Sequence, residues 1–387
     1  MKQLPAMTRA AAVRNRLGGL LVALALAGSI AACSETPATP GSGSGGAPAG
    51  SGGATGTGGA PTCTHPEVVN GHQVAPCGYY VEGNQIYKYD GQVHMFRGLA
   101  RPSMEWVAAG EMVGDADFDR MASWRPNVIR FSLNQDFYLP GAARSSASYP
   151  QLIAQWVRKV KERGMDVILD LHWTDRGNLA ITQAQQDNNG NPLALMKMAD
   201  QNSITFWTMV ANQFKGDGRV IFELFNEPHD ISWSVWRNGG TVDGWQAAGM
   251  QQLYEAVRST GAHNLVLIGG LDYAFDLSGV GANRITGYNI AYVSHPYGHF
   301  NNKQVGNFDA AFGTLSQSDP IILTEFGNNN CNAQYYTDVI SYAAPRRIGW
   351  TAWAWYPQGC TFPSLINDWN GTPSTTGQVI RNALMSN

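Results

Sequence analysis

From about residue 91 onward, short apolar runs alternate with longer stretches in which apolar side chains recur every three or four residues. The short runs are "HMFRG" (94–98), "NVIRFS" (127–132), "DVILDLH" (166–172), "VIFELFN" (220–226), "NLVLIGG" (264–270), "NIAYVSH" (289–295), "PIILTEFG" (320–327) and "IGWTAWAW" (348–355). Such nearly continuous apolar runs predict strands buried on both faces. The longer stretches predict amphipathic helices: in "YPQLIAQWVRKVKERG", Leu152, Ile153, Trp156, Val157 and Val160 fall on one face. "SITFWTMVANQFKG", "WQAAGMQQLYEAVRSTG" and "AQYYTDVISYA" read the same way. The helix before the second strand is short, and none is clear between the fifth and sixth. Eight strand–helix units in about 300 residues predict an α/β fold closed into a (β/α)8 or TIM barrel. The alternative, an open doubly wound sheet, wants a glycine-rich phosphate turn after its first strand, where this chain has "FRGLARPSMEW".

The first 62 residues follow a different pattern. Lys2, Arg9, Arg14 and Arg16 precede the apolar "LGGLLVALALAGSI", which is too short to span a membrane comfortably and ends in small residues. That is an export signal. Ile30-Ala31-Ala32-Cys33 resembles a bacterial lipobox, which implies cleavage before Cys33, acylation of its thiol and a lipid anchor. Ser34 after it implies, by the same resemblance, the outer membrane of a Gram-negative cell; an ordinary secreted protein is the alternative. Residues 34–62 are almost wholly Gly, Ala, Ser, Thr and Pro, a composition that predicts a disordered tether. The expected organisation is therefore a signal over 1–33, a linker over 34–62 and a catalytic barrel over 63–387.

Composition narrows the function. The chain has 387 residues, 44% hydrophobic and 14% charged, enough for a large core. A net charge of −3 without a basic run argues against a nucleic-acid partner. Twelve Trp and fifteen Tyr suit stacking on sugar rings, although core packing uses the same residues. Cys63, Cys77, Cys331 and Cys360 form an even set in an exported chain and predict two disulfides. Three pairings are possible; Cys63 with Cys77 and Cys331 with Cys360 are favoured, because each would staple segments that the barrel layout brings close.

In a TIM barrel the chemistry sits at the carboxyl ends of the strands. Arg130 lies in the second strand, His172 ends the third, Asn226 and Glu227 end the fourth, His295 and Tyr297 end the sixth, Glu325 ends the seventh, and Trp353 lies in the eighth. Singly each has a structural explanation, but two glutamates closing otherwise buried runs is the equipment of glycoside hydrolysis. Arg130 and a Tyr297 hydroxyl bonded to Glu325 would keep Glu325 ionised as nucleophile, with Glu227 as acid/base. Asn226 is placed to hold the sugar 2-hydroxyl, His172 and His295 to bind hydroxyls or orient the glutamates, and Trp353 to lie beneath the sugar. Trp353 and Trp355 fall on the same side of the strand by period two, so only motif order selects Trp353.

"FELFNEP" and "ILTEFG", with Arg130, "DLHW", "HPY" and "WTAWAW" in that order, resemble glycoside hydrolase family 5, which includes cellulases and mannanases. The resemblance covers about residues 91–384. It implies a retaining mechanism with Glu227 as acid/base and Glu325 as nucleophile, surrounded by Arg130, His172, Asn226, His295, Tyr297 and Trp353. Endo-β-1,4-glucanase is the first expectation, with β-mannanase or xyloglucanase as alternatives, because loops set specificity. Trp233, Trp236 and Trp245, in the loop after strand four, are expected to line the cleft. The expected partner is a polysaccharide, with no cofactor and no metal, on a monomeric chain that meets the membrane only through its anchor. Two rivals remain: a metal-dependent barrel using His172, His229, His295 and His299, disfavoured because strand one carries no paired His, and a non-catalytic sugar-binding barrel, disfavoured because both glutamates are present.

Overall fold

The computed structural model describes residues 63, 65, 67–182 and 196–386. The export segment, Cys33 and the 34–62 tether lie outside the described residues, as does part of the loop after the third strand (183–195). Eight parallel strands form a closed barrel: β1 (Arg97–Arg101), β2 (Val128–Asn134), β3 (Asp166–Trp173), β4 (Val220–Glu223), β5 (Val266–Gly269), β6 (Ile290–Val293), β7 (Ile321–Leu323) and β8 (Gly349–Ala352). Each strand pairs with its neighbours in sequence, and β8 closes onto β1 through Trp350 opposite Arg97.

The continuous apolar runs have a simple cause: one face of each strand meets the barrel interior and the other meets the helices. Val128, Ile168, Ile221, Leu267, Ala291, Val293 and Ile322 point inward into one cluster. Their neighbours Ile129, Val167, Leu169, Val220, Phe222, Val266 and Ile268 pack outward against the helical layer. Burying one such side chain contributes on the order of 1.5–3 kcal/mol. Because side chains alternate, the next inward positions above Val128, Ile168 and Ile221 are Arg130, Asp170 and Glu223, all fully buried. An apolar plug thus supports a layer of charge.

The plug is floored by a three-stranded antiparallel sheet (79–82, 85–88 and 93–94), whose Tyr79 and Ile86 join the inner cluster. His94 belongs to this floor, so the first barrel strand begins three residues later than the apolar run predicts. The disulfide Cys63–Cys77 ties down the segment entering the floor, with Cα atoms 5.3 Å apart. Cys331–Cys360, 5.0 Å between Cα atoms, joins the loops after β7 and β8, which is the pairing favoured from the sequence.

The helical layer contains α1 (Asp115–Ala122), α2 (Tyr149–Glu162), α3 (Gln201–Phe214), α4 (Met250–Ser259), α5 (Ala333–Ala343) and α6 (Thr375–Met385). In α2, Ile153, Trp156, Val157 and Val160 are buried at helical spacing, with Leu152 half-buried beside them. Helix α3 is capped by Asp200, whose carboxylate accepts from the Asn202 backbone amide. The stretch beginning at Trp245 does not start as a helix: residues 245–247 pair with 240–242 in a hairpin. Asp243 and Gly244, both at positive φ, form its turn, the chemistry of a two-residue hairpin loop. Between β5 and β6 there is one 3-10 turn (Val280–Ala282) in place of a long helix.

Candidate active site

Arg130, on β2, is the hub. Its guanidinium is fully buried and donates through Nε to Glu223 Oε2 (2.6 Å), through Nη1 to Glu325 Oε1 (2.6 Å) and through Nη2 to Asn226 Oδ1 (2.8 Å). Nη2 also lies 2.9 Å from Asp170 Oδ2. The planar five-donor fork of arginine suits several acceptors at fixed angles. The neighbouring carboxylates, acting against burial, raise the Arg130 pKa well above its ordinary value.

His295 forms the second hub. Thr324 Oγ1 donates its single hydrogen to Glu223 Oε1 (2.7 Å), so it accepts from His295 Nε2, 2.8 Å away. The other ring nitrogen, Nδ1, is 3.0 Å from Glu227 Oε1 and 3.9 Å from Glu325 Oε2. A ring donating on both sides is an imidazolium. Burial works against that charge, but the carboxylates of Glu325, Glu223 (3.7 Å from Nε2) and Glu227 outweigh it and raise the His295 pKa to about 9. His172 is similar: burial opposes its charge, and Asp170, 2.6 Å from Nδ1, raises it to about 9.

The two glutamates differ in their surroundings. Glu325 has its side chain 4% exposed and accepts from Arg130 and, at 2.6 Å, from the Tyr297 hydroxyl. Burial would raise its pKa, but His295, Arg130, His172 and the Tyr297 hydrogen bond together hold it below the ordinary carboxylate value. Glu227 is more open, with its side chain 15% exposed. Ligating atoms of Glu227, His295 and Glu325 all lie within 4.8 Å of one another. An imidazolium has no free lone pair, so this trio acts as an ion network rather than as ready metal ligands. His299 stands four residues after His295 in sequence but packs on Phe300 (4.2 Å), and His229 binds the Glu227 carbonyl through Nδ1 (2.8 Å).

Above this network lies a hollow of about 430 Å³, lined by Glu227, Glu325, Asn226, His172, Tyr297 and Trp353 together with Tyr273, His299, Phe300 and Lys303. Asn226 presents its amide nitrogen there, since its oxygen faces Arg130. Trp353 is stacked parallel to His172 (5.8 Å, 10°) and meets Phe362, which packs in turn on Tyr356, itself edge-on to Trp106, in an aromatic wall.

The structure brings the eight expected residues to one place but corrects two readings. Trp353 and Trp355 do not face the same side: β8 ends at Ala352, alternation stops, and Trp355 turns into the helical layer, where its indole donates to Asp117 (2.8 Å). Trp233, Trp236 and Trp245 do not line the hollow; Trp236 is fully buried with its indole bonded to the Gly269 carbonyl, and Trp233 packs edge-on against it. Their amphipathic bodies seal the barrel rim. Asp170, Glu223 and Thr324 were not singled out from the sequence, although a charge inside an apolar strand, two residues beyond an inward position, marks the first two. Tyr273 and Lys303 come from loops and carry no such periodic signal.

Residues 88–359 match the family model described as cellulase, glycosyl hydrolase family 5. The chain belongs to glycoside hydrolase family 5. Among curated proteins, it is 22% identical to Endoglucanase E-5 of Thermobifida fusca over 79% of this chain and 63% of that protein, and 25% identical to Endoglucanase MaCel5A of Microbulbifer sp. over 71% and 50%. The chain thus spans about half to two thirds of the length of these curated relatives. The β-glucanase SdGluc5_26A of Saccharophagus degradans, solved in complex with cellotetraose, superposes with a TM-score of 0.64 at 20% identity, covering 84% of this chain and 97% of that one. The catalytic domain of T. fusca Cel5A gives 0.61 at 20% identity, over 80% and 97%. These likenesses fix the family 5 barrel as the fold.

Proposed function

We propose that this chain is a retaining hydrolase that cleaves β-1,4-glucan within the polymer, with Glu325 as nucleophile and Glu227 as acid/base. One observation carries the reading: carboxylate atoms of Glu227 and Glu325 lie within 4.8 Å of each other. Retaining enzymes hold their carboxyl groups about 5–5.5 Å apart, whereas inverting enzymes leave about 6.5–9.5 Å for a water.

In the first step a Glu325 oxygen attacks the anomeric carbon, the bond to the leaving oxygen breaks, and Glu227 gives that oxygen its proton. In the second step Glu227 takes a proton from water, the water oxygen bonds to the anomeric carbon, and the glycosyl ester to Glu325 breaks. Arg130 and Tyr297 favour the ionised nucleophile before attack and receive its charge again at the end. His295 touches Glu227 and lies near Glu325, so its charge stabilises whichever carboxylate is anionic. Asn226 presents an N–H to the sugar 2-hydroxyl, and Trp353 offers a flat apolar face beneath the ring.

The endoglucanase names of the relatives and the cellotetraose bound to the S. degradans protein support glucan over mannan or xyloglucan. Initial rates of reducing-end release from carboxymethylcellulose, barley β-glucan, galactomannan and xyloglucan test this, with the glucans expected to be fastest. Faster cleavage of galactomannan or xyloglucan would reassign the substrate, and binding without release would make the protein a surface carbohydrate-binding barrel. The amino-terminal pattern supports export and a lipid anchor at Cys33, facing the outer membrane or cell surface. Cys33→Ser is then expected to move the protein out of the membrane fraction.

A further inference from the structure

Trp353 follows the last residue of β8, so strand pairing does not fix its indole, and the rings packed against it do. His172 is one such neighbour, stacked at 5.8 Å and itself held by Asp170 in the barrel wall (2.6 Å). Phe362 is the other, at 5.7 Å. It packs, like Tyr297, against the small cluster of Ala100, Trp353 and Ala354. Phe362 is not among the residues that line the hollow, so whatever it does for the substrate it does through Trp353.

Phe362 comes from a loop that is well held at its stem and sparsely held at its tip. At the stem the Ala354 amide donates to the Pro363 carbonyl (3.0 Å) and the Leu365 amide to the Ala354 carbonyl (2.9 Å). Pro363 also abuts the loop after β7, where a Cβ on Gly327 would come within 2.9 Å of the Pro363 Cβ. At the tip the Phe362 and Ser364 amides both donate to the Gly359 carbonyl (3.2 Å), with Gly359 at a φ of 84°, a turn that glycine permits. Among the described residues, every hydrogen bond from 357–362 ends on Tyr356, Gly359 or Ser364, within the same loop. The covalent tie of the tip is the disulfide from Cys360 to Cys331, in the loop that follows Glu325. That second loop is a firm anchor: Asn328 Oδ1 accepts from the Asn330 amide (3.3 Å), Asn330 Oδ1 from the Asn332 amide (3.0 Å), and Asn332 caps α5 through the Gln334 amide (3.1 Å).

We propose that Phe362 and the Cys331–Cys360 crosslink are positioning elements for sugar binding: the crosslink holds Phe362, and Phe362 holds the Trp353 face in register with Glu325. This rests on the glycosidase reading above. Because the crosslink starts from the nucleophile's own loop, platform and nucleophile share one frame. Without it the tip has to be ordered each time a sugar ring settles on Trp353, and that lost freedom weakens binding. The flat face meets the sugar in the ground state and the transition state alike, so the loss falls on KM and spares kcat. The other crosslink supplies a comparison within the same chain. Cys63–Cys77 staples the segment entering the floor of the barrel, and neither cysteine lines the hollow. Removing either disulfide destabilises the fold, but only Cys331–Cys360 bears on the substrate.

The test is steady-state kinetics on cellotetraose, or on the tetrasaccharide of whichever backbone the wild type prefers, well below the thermal midpoint of every variant. Cys331→Ser with Cys360→Ser is expected to raise KM about 3–10-fold and to keep kcat within about twofold. Cys63→Ser with Cys77→Ser is expected to lower the thermal midpoint and leave KM where it was. Phe362→Ala is expected to raise KM by a similar factor in the intact protein and to add little once Cys331–Cys360 is gone, since both act through one ring. Should the first double variant fold poorly, the Cys63→Ser/Cys77→Ser protein assayed before and after reduction isolates the same bond. An unchanged KM on loss of Cys331–Cys360, an equal rise on loss of Cys63–Cys77, or full additivity with Phe362→Ala would each overturn the proposal. A wild type that binds the tetrasaccharide without cleaving it would sink the glycosidase reading alone, and dissociation constants from calorimetry would then decide the crosslink in place of KM.

Discussion

Arg130 Nη1 lies 2.6 Å from Glu325 Oε1, joining a wholly buried cation on the second strand to a carboxylate just past the seventh. The same guanidinium holds Glu223, Asp170 and Asn226, so removing it strands several buried anions. Arg130→Met is expected to cost about 3–5 kcal/mol of stability. It is also expected to lower kcat/KM by about 10² or more, because Glu325 loses its principal hydrogen-bonding cation. Denaturant unfolding and cellotetraose kinetics on the same preparation check both; normal activity in a destabilised variant would refute the electrostatic role.

Replacing the two glutamates is expected to give different phenotypes. Glu325→Ala is expected to be inactive, with activity restored by azide, which takes the nucleophile's place and yields an α-glycosyl azide. Glu227→Ala is expected to retain the first step on aryl glycosides with good leaving groups, as a burst of phenol followed by slow turnover. Product analysis by proton NMR reads both, and a first-formed α-anomer from the wild-type enzyme would exclude retention.

Tyr297 donates to Glu325 Oε2 at 2.6 Å, a bond that favours the ionised carboxyl. In Tyr297→Phe the Glu325 pKa is expected to rise, moving the acid limb of the kcat/KM profile to higher pH and lowering the optimum rate by about 10–100-fold. An unmoved acid limb would mean that the hydroxyl serves packing alone.

His295 and His172 have pKa values raised from 6.5 to about 9. A raised folded-state value stabilises the fold fully below pH 6.5 and loses that contribution as pH climbs through about 9. Thermal midpoints of the wild type are therefore expected to fall across that window more steeply than those of His295→Asn. Comparing slopes with the variant isolates this term from the buried Asp175 and Asp200, whose raised values act in the same direction. Parallel slopes would show that His295 is not charged in the folded state.

Tyr273 is 37% exposed, stacks on His229 at 4.1 Å and 10°, and sits between two other residues in left-handed conformation, Asp272 and Ala274. Three such residues in succession are unfavourable, and the Lys303 ammonium bonded to the Asp272 carbonyl (2.7 Å) helps hold them. The ring lines the same hollow as Glu227, the proposed acid that protonates the leaving group. Tyr273→Ala is expected to raise KM for polymeric glucan about 3–10-fold while leaving aryl cellobiosides, whose leaving group carries no sugar, little changed. Equal losses on both substrates would argue against this placement.

The barrel was legible because each strand is buried on two faces and each helix on one, so local periodicity reports tertiary layering directly. The site candidates that close apolar runs, His172, Asn226, Glu227, His295 and Glu325, were legible too, since a polar group that ends such a run has few reasons to be there. Asp170 and Glu223 followed the same rule but lay one turn of alternation deeper, where the eye reads strand before charge. Tertiary structure alone decided that Trp353 enters the cleft while Trp355 leaves it, because that depends on where β8 stops pairing. It alone placed Trp233 and Trp236 in the rim, and brought Asp175 and Asp200 together across Gln135 from separate segments. Sequence determines which side chains must be buried; which of them meet is set by strand register and loop path, and those depend on the whole closed barrel.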